Sequence, residues 1–349
     1  MSRFTVKSHL REYTVNISHG TSYDYFLQEF NRGDFFIVDR NVLSIIPPGG
    51  SSIIIDADEK KKSYLGIEPI IKQLVDMGFK RNNKLIAVGG GITQDITSFI
   101  SSVLYRGVEW IFFPTTLLAQ ADSCIGSKTS VNFGEYKNQL GGFYPPSKIY
   151  IDTNVLKSLP ECELISGLGE MCHYFLIGGK GVYDRFKDLY DRAVDGDGDA
   201  LSALIEMSLR IKKPMVEQDE FDRGPRNIFN YGHTFGHAIE TMSKYAIPHG
   251  VAVSIGMDIA NYVSAKKGLV NMDFYERVNK FLAKVYAGTD MSFLDIDKYI
   301  DALKKDKKNE NGNLGLILTK GYGKMFKEMV PCDDKFREII EDYIKGEYR

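Results

Sequence analysis

The densest chemistry in the chain lies in Asn230-Tyr231-Gly232-His233-Thr234-Phe235-Gly236-His237-Ala238-Ile239-Glu240, with His249-Gly250 following after a short break. Three of the chain's six histidines fall in this stretch. His233 and His237 are four residues apart, so on a helix they project from one face about one turn apart, a spacing at which two imidazoles converge on one ion. The same spacing also suits an aromatic-rich core helix whose histidines only hydrogen-bond. A third histidine, entering from the turn Pro248-His249-Gly250, favours the metal reading. Such a site wants an oxygen ligand, and the best candidate is Glu170 in Ser166-Gly167-Leu168-Gly169-Glu170-Met171-Cys172-His173.

A second kind of chemistry is written in the first half. Gly89-Gly90-Gly91-Ile92-Thr93-Gln94-Asp95 follows an apolar run and opens a helical pattern. Glycines there let the backbone approach a pyrophosphate, which the free N–H groups and positive end of the helix favour. A plain tight strand-to-helix turn is the alternative. Asp39 and Asn41 close one strand, and Glu59 with Lys62 follow another. Side chains at strand C-terminal ends are where an open α/β sheet binds a nucleotide. Next comes a polar, glycine-rich middle: Pro114-Thr115-Thr116-Leu117-Leu118-Ala119-Gln120-Ala121-Asp122, then Gly126-Ser127-Lys128-Thr129, then Lys137-Asn138. Ammonium and amide groups in loops suit an anionic, hydroxylated ligand, although solvated surface lysines read the same way. Lys212 and Arg226 flank Asp219-Glu220, and Lys304-Lys305-Asp306-Lys307-Lys308 reads as a solvated charge run.

The elements that must position these groups follow from periodicity. Residues 34–39, 52–56, 84–88 and 108–113 read as strands, and 67–78 and the stretch from about Thr93 as helices, an alternation that predicts a parallel sheet wrapped by helices. Beyond residue 155 the pattern turns helical over 160–194, 200–218, 235–246, 252–267 and 274–287. The expected architecture is α/β: an N-terminal parallel-sheet nucleotide-binding domain over 1–155 and a mostly α-helical metal-binding domain over 156–349. A chain of 349 residues exceeds the usual size of a single core, which agrees with two domains.

Composition excludes several function classes. A formal net charge of -2 leaves no basic field for nucleic acid. No apolar run approaches the roughly 18 residues of a membrane span, and Met1-Ser2-Arg3-Phe4-Thr5-Val6 lacks the apolar core of a signal peptide. Cys124, Cys162, Cys172 and Cys332 have no paired or metal-like spacing, which fits free thiols in a reducing cytoplasm.

Taken in order, Gly89-Gly90-Gly91 with Asp95, Arg106-Gly107, Pro114 to Asp122, Lys128-Thr129 with Asn132, Lys137-Asn138, Glu170, Gly232 to Glu240 and His249-Gly250 resemble the 3-dehydroquinate synthase family of sugar phosphate cyclases, over roughly residues 35 to 320. The resemblance implies NAD and a zinc (or cobalt) ion in a cleft between an α/β and a helical domain. It implies Glu170, His233 and His249 as metal ligands, which removes His237 from the ligand set and makes it catalytic or supporting. Asp39, Asn41, Glu59 and Lys62 would hold the adenosine and ribose, and Gly90 and Gly91 the pyrophosphate. Thr115 and Thr116 belong to the same cofactor set, with Asp95 and Asp122 on the nicotinamide side. Arg106, Lys128, Asn138, Asn230 and Lys307 would surround the substrate phosphate, Arg106 from across a homodimer interface. Lys212 and Arg226 would take the substrate carboxylate, with Lys137, also near the cofactor, and His237 completing the site. The implied reaction is that of the shikimate pathway toward aromatic amino acids: oxidation of a ring hydroxyl of 3-deoxy-D-arabino-heptulosonate 7-phosphate, phosphate elimination, reduction, ring opening and aldol closure, with NAD ending as it began.

The chain departs from the family pattern in places. Glu-x-x-Lys-Tyr becomes Glu170-Met171-Cys172-His173-Tyr174, so His173 stands where a substrate-binding lysine is expected; Gly126-Ser127-Lys128-Thr129 and His249-Gly250-Val251 also differ from the pattern. Three residues after Glu170 on one helix, His173 should share its face and point toward the substrate, reading a hydroxyl or leaving room for a different sugar. Lys212 and Arg226 favour the heptulosonate over sedoheptulose 7-phosphate or glucose 6-phosphate, whereas His173 pulls the other way. Two rival readings are an NAD- and metal-dependent polyol dehydrogenase, which has no use for that much positive charge, and a non-catalytic paralogue, which would not need Glu170 and His249.

Overall fold

The computed structural model describes residues 2–20, 22–134, 136–305, 309 and 312–347. In chain order the elements are β1 (Ser2–Val6), β2 (Tyr13–Ser18), α1 (Ser22–Glu29), β3 (Phe35–Asp39), β4 (Ser52–Ile55), α2 (Tyr64–Asp76), β5 (Lys84–Gly89), α3 (Gly91–Val103), β6 (Glu109–Pro114), β7 (Lys128–Phe133), β8 (Tyr136–Phe143) and β9 (Lys148–Asp152). Then follow α4 (Glu161–Gly178), α5 (Lys180–Val194), α6 (Gly198–Gln218), α7 (His233–Met242), α8 (His249–Lys266), α9 (Met272–Val285), α10 (Ile296–Lys304), β10 (Asn313–Thr319), β11 (Met325–Pro331) and α11 (Asp334–Glu347). They form two compact units: Met1–Pro160 with Asp195–Asp222, and Glu161–Val194 with Arg223–Arg349. Helix α6 therefore belongs with the sheet, where the sequence reading has a single boundary near residue 155. An amphipathic pattern states that a helix buries one face, not which unit it buries that face in.

The first unit is built on a seven-stranded sheet in the order β1-β2-β9-β6-β5-β3-β4. All neighbours run parallel except the edge hairpin β1–β2. Phe36 and Val38, Ile86 and Val88, and Ile111 and Phe113 alternate along three adjacent strands and pack with Tyr25, Phe26 and Tyr150 in one cluster. This is the period-two signature of a shared sheet face. Leu85, Ala87, Ile37 and Phe112, the residues between, are equally buried. A sheet covered on both faces accounts for these near-continuous apolar runs. The stretch carrying Lys128, Lys137 and Asn138, expected as loops, is the antiparallel hairpin β7–β8. Its polar composition hides the pairing, because most of β8 is exposed.

The second unit is helical apart from the hairpin β10–β11. The helical pattern over 160–194 is interrupted at Gly179, which takes φ +100° and separates α4 from α5. Helix α8 is buried along its whole length from Gly250 to Ser264. It can be so because its neighbours approach at backbone distance. A Cβ at Gly250 would lie 1.7 Å from the Ser166 carbonyl oxygen of α4, and one at Gly256 would lie 2.0 Å from the Gly232 carbonyl at the start of α7. Gly169 faces the Gly250 carbonyl in the same way, at 2.5 Å. The Gly250 N–H donates to Ser166 Oγ at 3.0 Å, and Ser254 Oγ donates to the Gly169 carbonyl at 3.2 Å. Lower down, the fully buried Asp258 accepts hydrogen bonds from Tyr286 Oη, Tyr343 Oη and Asn279 Nδ2 at 3.0, 2.7 and 2.9 Å, tying α9 and α11 to α8. Among the described residues no helix is long and apolar enough to cross a membrane, and all four cysteines are free.

The contact at Gly250 generates a direct expectation. A methyl group 1.7 Å from a backbone oxygen has no flexible neighbour to displace, so Gly250→Ala must push α4 and α8 apart. Thermal or denaturant unfolding should show a loss of about 3 kcal/mol or more; an unchanged midpoint would refute this packing.

Candidate active site

Three ligand-bearing side chains converge in the second unit. Glu170 sits in the middle of α4, His233 opens α7 and His249 opens α8, and one ligand atom of each lies within 4.8 Å of the others. His233 Nε2 is 3.3 Å from Glu170 Oε1, and His249 Nε2 is 3.4 Å from Glu170 Oε2. The carboxylate is 3% exposed, and Oε2 is buried without a hydrogen-bond partner. Two imidazole nitrogens and a carboxylate around one point form the donor set of a catalytic first-row metal site with an open position, and an orphaned buried oxygen among them fits an ion.

Electrostatics agree with the geometry. Burial pushes the Glu170 carboxyl up, but the charges of the nearby His233 and His173 rings outweigh it and hold the group well below its ordinary range. Burial opposes charge on His249 too, yet Glu170 and Glu240 retain its proton well above the ordinary imidazole value. An arriving cation replaces that proton, so metal binding here is coupled to proton release.

His237, one turn after His233, lies outside this set. It is exposed, with its ring centroid 5.4 Å from that of His233 and 5.8 Å from that of His249. The four-residue spacing does place the two rings on one face, but the ligand atoms grouped with that of His233 come from Glu170 on α4, 3.3 Å away, and His249 on α8. A second group of ligand atoms, from His237, Glu240 and His249, also lies within 4.8 Å. Glu240 lies in the same motif as His233 and His237, but only the turn that returns His249 beside it reveals its contact. His173 shares the Glu170 face, with Nδ1 3.5 Å from Oε1. The expectation that it opens toward substrate is not met. Its ring is fully buried, 3.9 Å from the Tyr174 ring, 5.5 Å from His233 and 6.1 Å from Phe229. Arg226 is buried and Asn230 donates to the Asn227 carbonyl at 3.1 Å, both in the short helix before Tyr231. Lys307 lies outside the described residues.

In the first unit, Gly90 caps α3 with no side chain over the free N–H groups, and a Cβ on Gly91 would meet nothing nearer than Ser123 Oγ at 4.0 Å. By contrast, a Cβ on Gly89 would strike Thr93 Oγ1 at 2.3 Å and one on Gly90 would strike Thr116 Cγ2 at 2.9 Å. Two glycines thus close the turn and the third leaves the helix end open, the arrangement that accepts a phosphate. Thr115 N donates to the Gly89 carbonyl at 2.9 Å, and Thr116 Oγ1 accepts from Ala119 N at 3.2 Å. At the end of β3, Asp39 accepts from the Asn41 backbone and side-chain amides at 3.0 and 3.1 Å.

The hairpin β7–β8 is joined to this region through Lys62. Its buried ammonium donates to Asp95 Oδ2 at 3.0 Å and to Asn138 Oδ1 at 2.9 Å, and is 3.5 Å from Glu59 Oε1. Glu59 Oε1 also accepts from Asn132 Nδ2 at 2.8 Å, while Asn132 Oδ1 accepts from the backbone of Asn138, which has φ +56°. Lys212, nearly buried, donates to the carbonyl and carboxylate of Asp122, both at 2.7 Å. Lys128, half-exposed, pairs with Asp222 Oδ2 at 2.6 Å, a partner the sequence reading missed. Lys137 is exposed on the hairpin. Exposed Arg106 takes φ +65° beside Tyr105 at +51°, a left-handed pair in a tight turn before Gly107.

A parallel-sheet unit with an open glycine turn and a helical unit with a carboxylate–imidazole cluster define an α/β chain suited to a nucleotide and a metal ion. Comparison with known proteins narrows the class. The profile of the 3-dehydroquinate synthase N-terminal region matches residues 52–166, and that of the C-terminal region matches residues 167–309. The chain belongs to the 3-dehydroquinate synthase family. It is 38% identical to a 3-dehydroquinate synthase of Thermodesulfovibrio yellowstonii over 292 residues, covering 83% of this chain and 81% of that one. It is 40% identical to one of Acidithiobacillus ferrooxidans over 285 residues, covering 81% and 78%. The fold matches 2-deoxy-scyllo-inosose synthase complexed with carbaglucose-6-phosphate, NAD+ and Co2+, with TM-score 0.83, 22% identity, and 98% and 99% of the two chains covered. It also matches ValA, the 2-epi-5-epi-valiolone synthase of Streptomyces hygroscopicus with NAD+ and Zn2+ bound, with TM-score 0.82, 22% identity, and 97% and 98% covered.

Asp95 supplies a pH prediction. Burial raises its carboxyl from 3.8 to about 6, and the adjacent Lys62 ammonium only partly offsets this. Below about pH 3 the group is protonated in both folded and unfolded chains, so it makes no demand on the fold. As pH rises to about 6 the unfolded chain ionises first, and wild type loses stability relative to Asp95→Asn by on the order of 3 kcal/mol. Denaturant melts of both proteins at pH 4.5 and 7 should show that trend; a pH-independent difference would contradict it.

Proposed function

We propose that this chain is a 3-dehydroquinate synthase that converts 3-deoxy-D-arabino-heptulosonate 7-phosphate to 3-dehydroquinate and phosphate, holding NAD and a divalent metal ion, zinc or cobalt. The observation that carries the reading is the convergence of Glu170, His233 and His249 in a chain whose relatives of that name are 38% and 40% identical over about four fifths of its length. When bound, NAD supplies a hydride acceptor regenerated within each turnover, and the metal ion supplies a Lewis acid.

The chain's own residues bind, orient and hold protons. In the first unit the open end of α3 at Gly90 and Gly91 receives the pyrophosphate. Asp39, Asn41, Glu59, Lys62, Thr115 and Thr116 are the residues we assign to the rest of the nucleotide, with Asp95 and Asp122 toward its nicotinamide. The substrate carries two anionic groups, and the cations we assign to them are Lys128, Lys137, Lys212, Arg106 and Arg226. Amides of Asn138 and Asn230 suit phosphate oxygens, and Lys307 belongs to the same assignment. Holding the phosphate rigidly beside the carbon that loses a proton lets its own oxygen act as the base, so positioning supplies much of the acceleration. His237, exposed next to the metal-binding residues, is the group we assign to proton transfer. We propose further that the protein works as a homodimer in the cytoplasm and feeds the shikimate pathway; its free cysteines support the compartment.

Supplying the heptulosonate, sedoheptulose 7-phosphate or glucose 6-phosphate with NAD and zinc, and identifying products by mass spectrometry, tests the substrate. Phosphate release with a carbocyclic acid from the heptulosonate alone is expected, without NADH accumulation. Steady NADH formation from a polyol would instead establish a dehydrogenase. Glu170→Ala, His233→Ala and His249→Ala should each lose bound metal and turnover, whereas His237→Ala keeps the metal and loses on the order of 10² in kcat. Full zinc content in the His249→Ala protein would sink this ligand set.

A further inference from the structure

The imidazoles that face the metal position are held from behind by different partners. His233 Nδ1 lies 3.3 Å from the Tyr231 carbonyl oxygen, a neutral backbone acceptor within its own segment. His249 Nδ1 lies 3.1 Å from Glu240 Oε2, a carboxylate contributed by another helix. Glu240 is seven residues past His233 on α7, so two turns of helix place it on the same face, and its side chain is only 14% exposed. The His249 ring is 32% exposed and stands on the first residue of α8, with no preceding helical turn beneath it. Such a ring can rotate unless a directional contact stops it. The contact with Glu240 does so, and a proton on Nδ1 donated to that carboxylate leaves the Nε2 lone pair directed toward Glu170.

We propose that Glu240 is a positioning residue of the metal centre, touching neither ion nor substrate but fixing the tautomer and rotation of His249 and strengthening Nε2 as a donor. The inference rests on the ligand set proposed above. It competes with one alternative on the same residues, in which Glu240 joins His237 and His249 as a direct ligand.

Zinc affinity, measured by competition with a chromophoric chelator, separates these readings in wild type, Glu240→Gln, Glu240→Ala and a His233→Ala control. Glu240→Ala should bind zinc about 10- to 100-fold more weakly. Glu240→Gln, whose amide oxygen still accepts from Nδ1 without the charge, should fall between that variant and wild type. The visible spectrum of the Co2+-loaded Glu240→Gln protein should keep the wild-type band positions, and the metal-free unfolding midpoints should agree. Unchanged affinity in both Glu240 variants would reduce Glu240 to a packing group, and a shifted Co2+ spectrum would make it a ligand; either result overturns the proposal. If His233→Ala also binds with full affinity, the metal set itself is wrong. If it loses the metal while the Glu240 variants do not, only the positioning role fails.

Discussion

The second unit depends on a close approach of backbones. Helix α8 is buried throughout, and glycines let α4 and α7 come within van der Waals contact of its main chain. Those glycines sit next to the proposed metal ligands: Gly169 precedes Glu170, Gly232 precedes His233 and Gly250 follows His249. The residues that set the interhelical distances therefore also set the distances between the ligand atoms. Close approach of the helices brings the carboxylate and the imidazoles within reach of one point.

Polar groups in this interior are placed with the same economy. A buried carboxylate is costly unless donors or charges surround it. Asp258 is met by two tyrosine hydroxyls and an asparagine amide, and acts as a structural tie between helices. Glu170 is met by imidazoles at 3.3 to 3.5 Å, and one of its oxygens has no hydrogen-bond partner. The contrast separates a satisfied carboxylate, which stabilises the fold, from one whose surroundings support the proposed metal centre. In the first unit Lys62 shows a third arrangement. Its ammonium joins Asp95, beside the phosphate-accepting turn, to Asn138 on the hairpin, so residues assigned to cofactor and to substrate share one buried charge.

The burial of His173 bears on substrate choice. A histidine sealed against Tyr174 and Phe229 does not present a donor to solvent, so its replacement of the family lysine is a change in the packing around Glu170. The argument from this position for a different sugar therefore loses its physical basis, whereas Lys212, Arg226 and Lys128 remain suited to an anionic substrate.

Much of the protein is legible along the chain because the relevant physics is local. Apolar runs of strand length between helical patterns dictate the parallel sheet, three glycines after a strand mark an open helix end, and histidines in a short motif mark a metal-competent segment. Motif order over most of the length assigns the family. Periodicity does not say where an element goes: α6 looks like any amphipathic helix yet belongs with the sheet, and β8, polar and mostly exposed, has too little buried surface to announce the β7–β8 hairpin. Nor does spacing choose partners. His233 and His237 are neighbours in sequence, but the ligand atoms that meet His233 come from α4 and α8, 63 and 16 residues away. That choice, like the Glu240 carboxylate behind His249 and the sealing of His173, was made by tertiary packing, because convergence on a point depends on distances between helices that no single helix encodes.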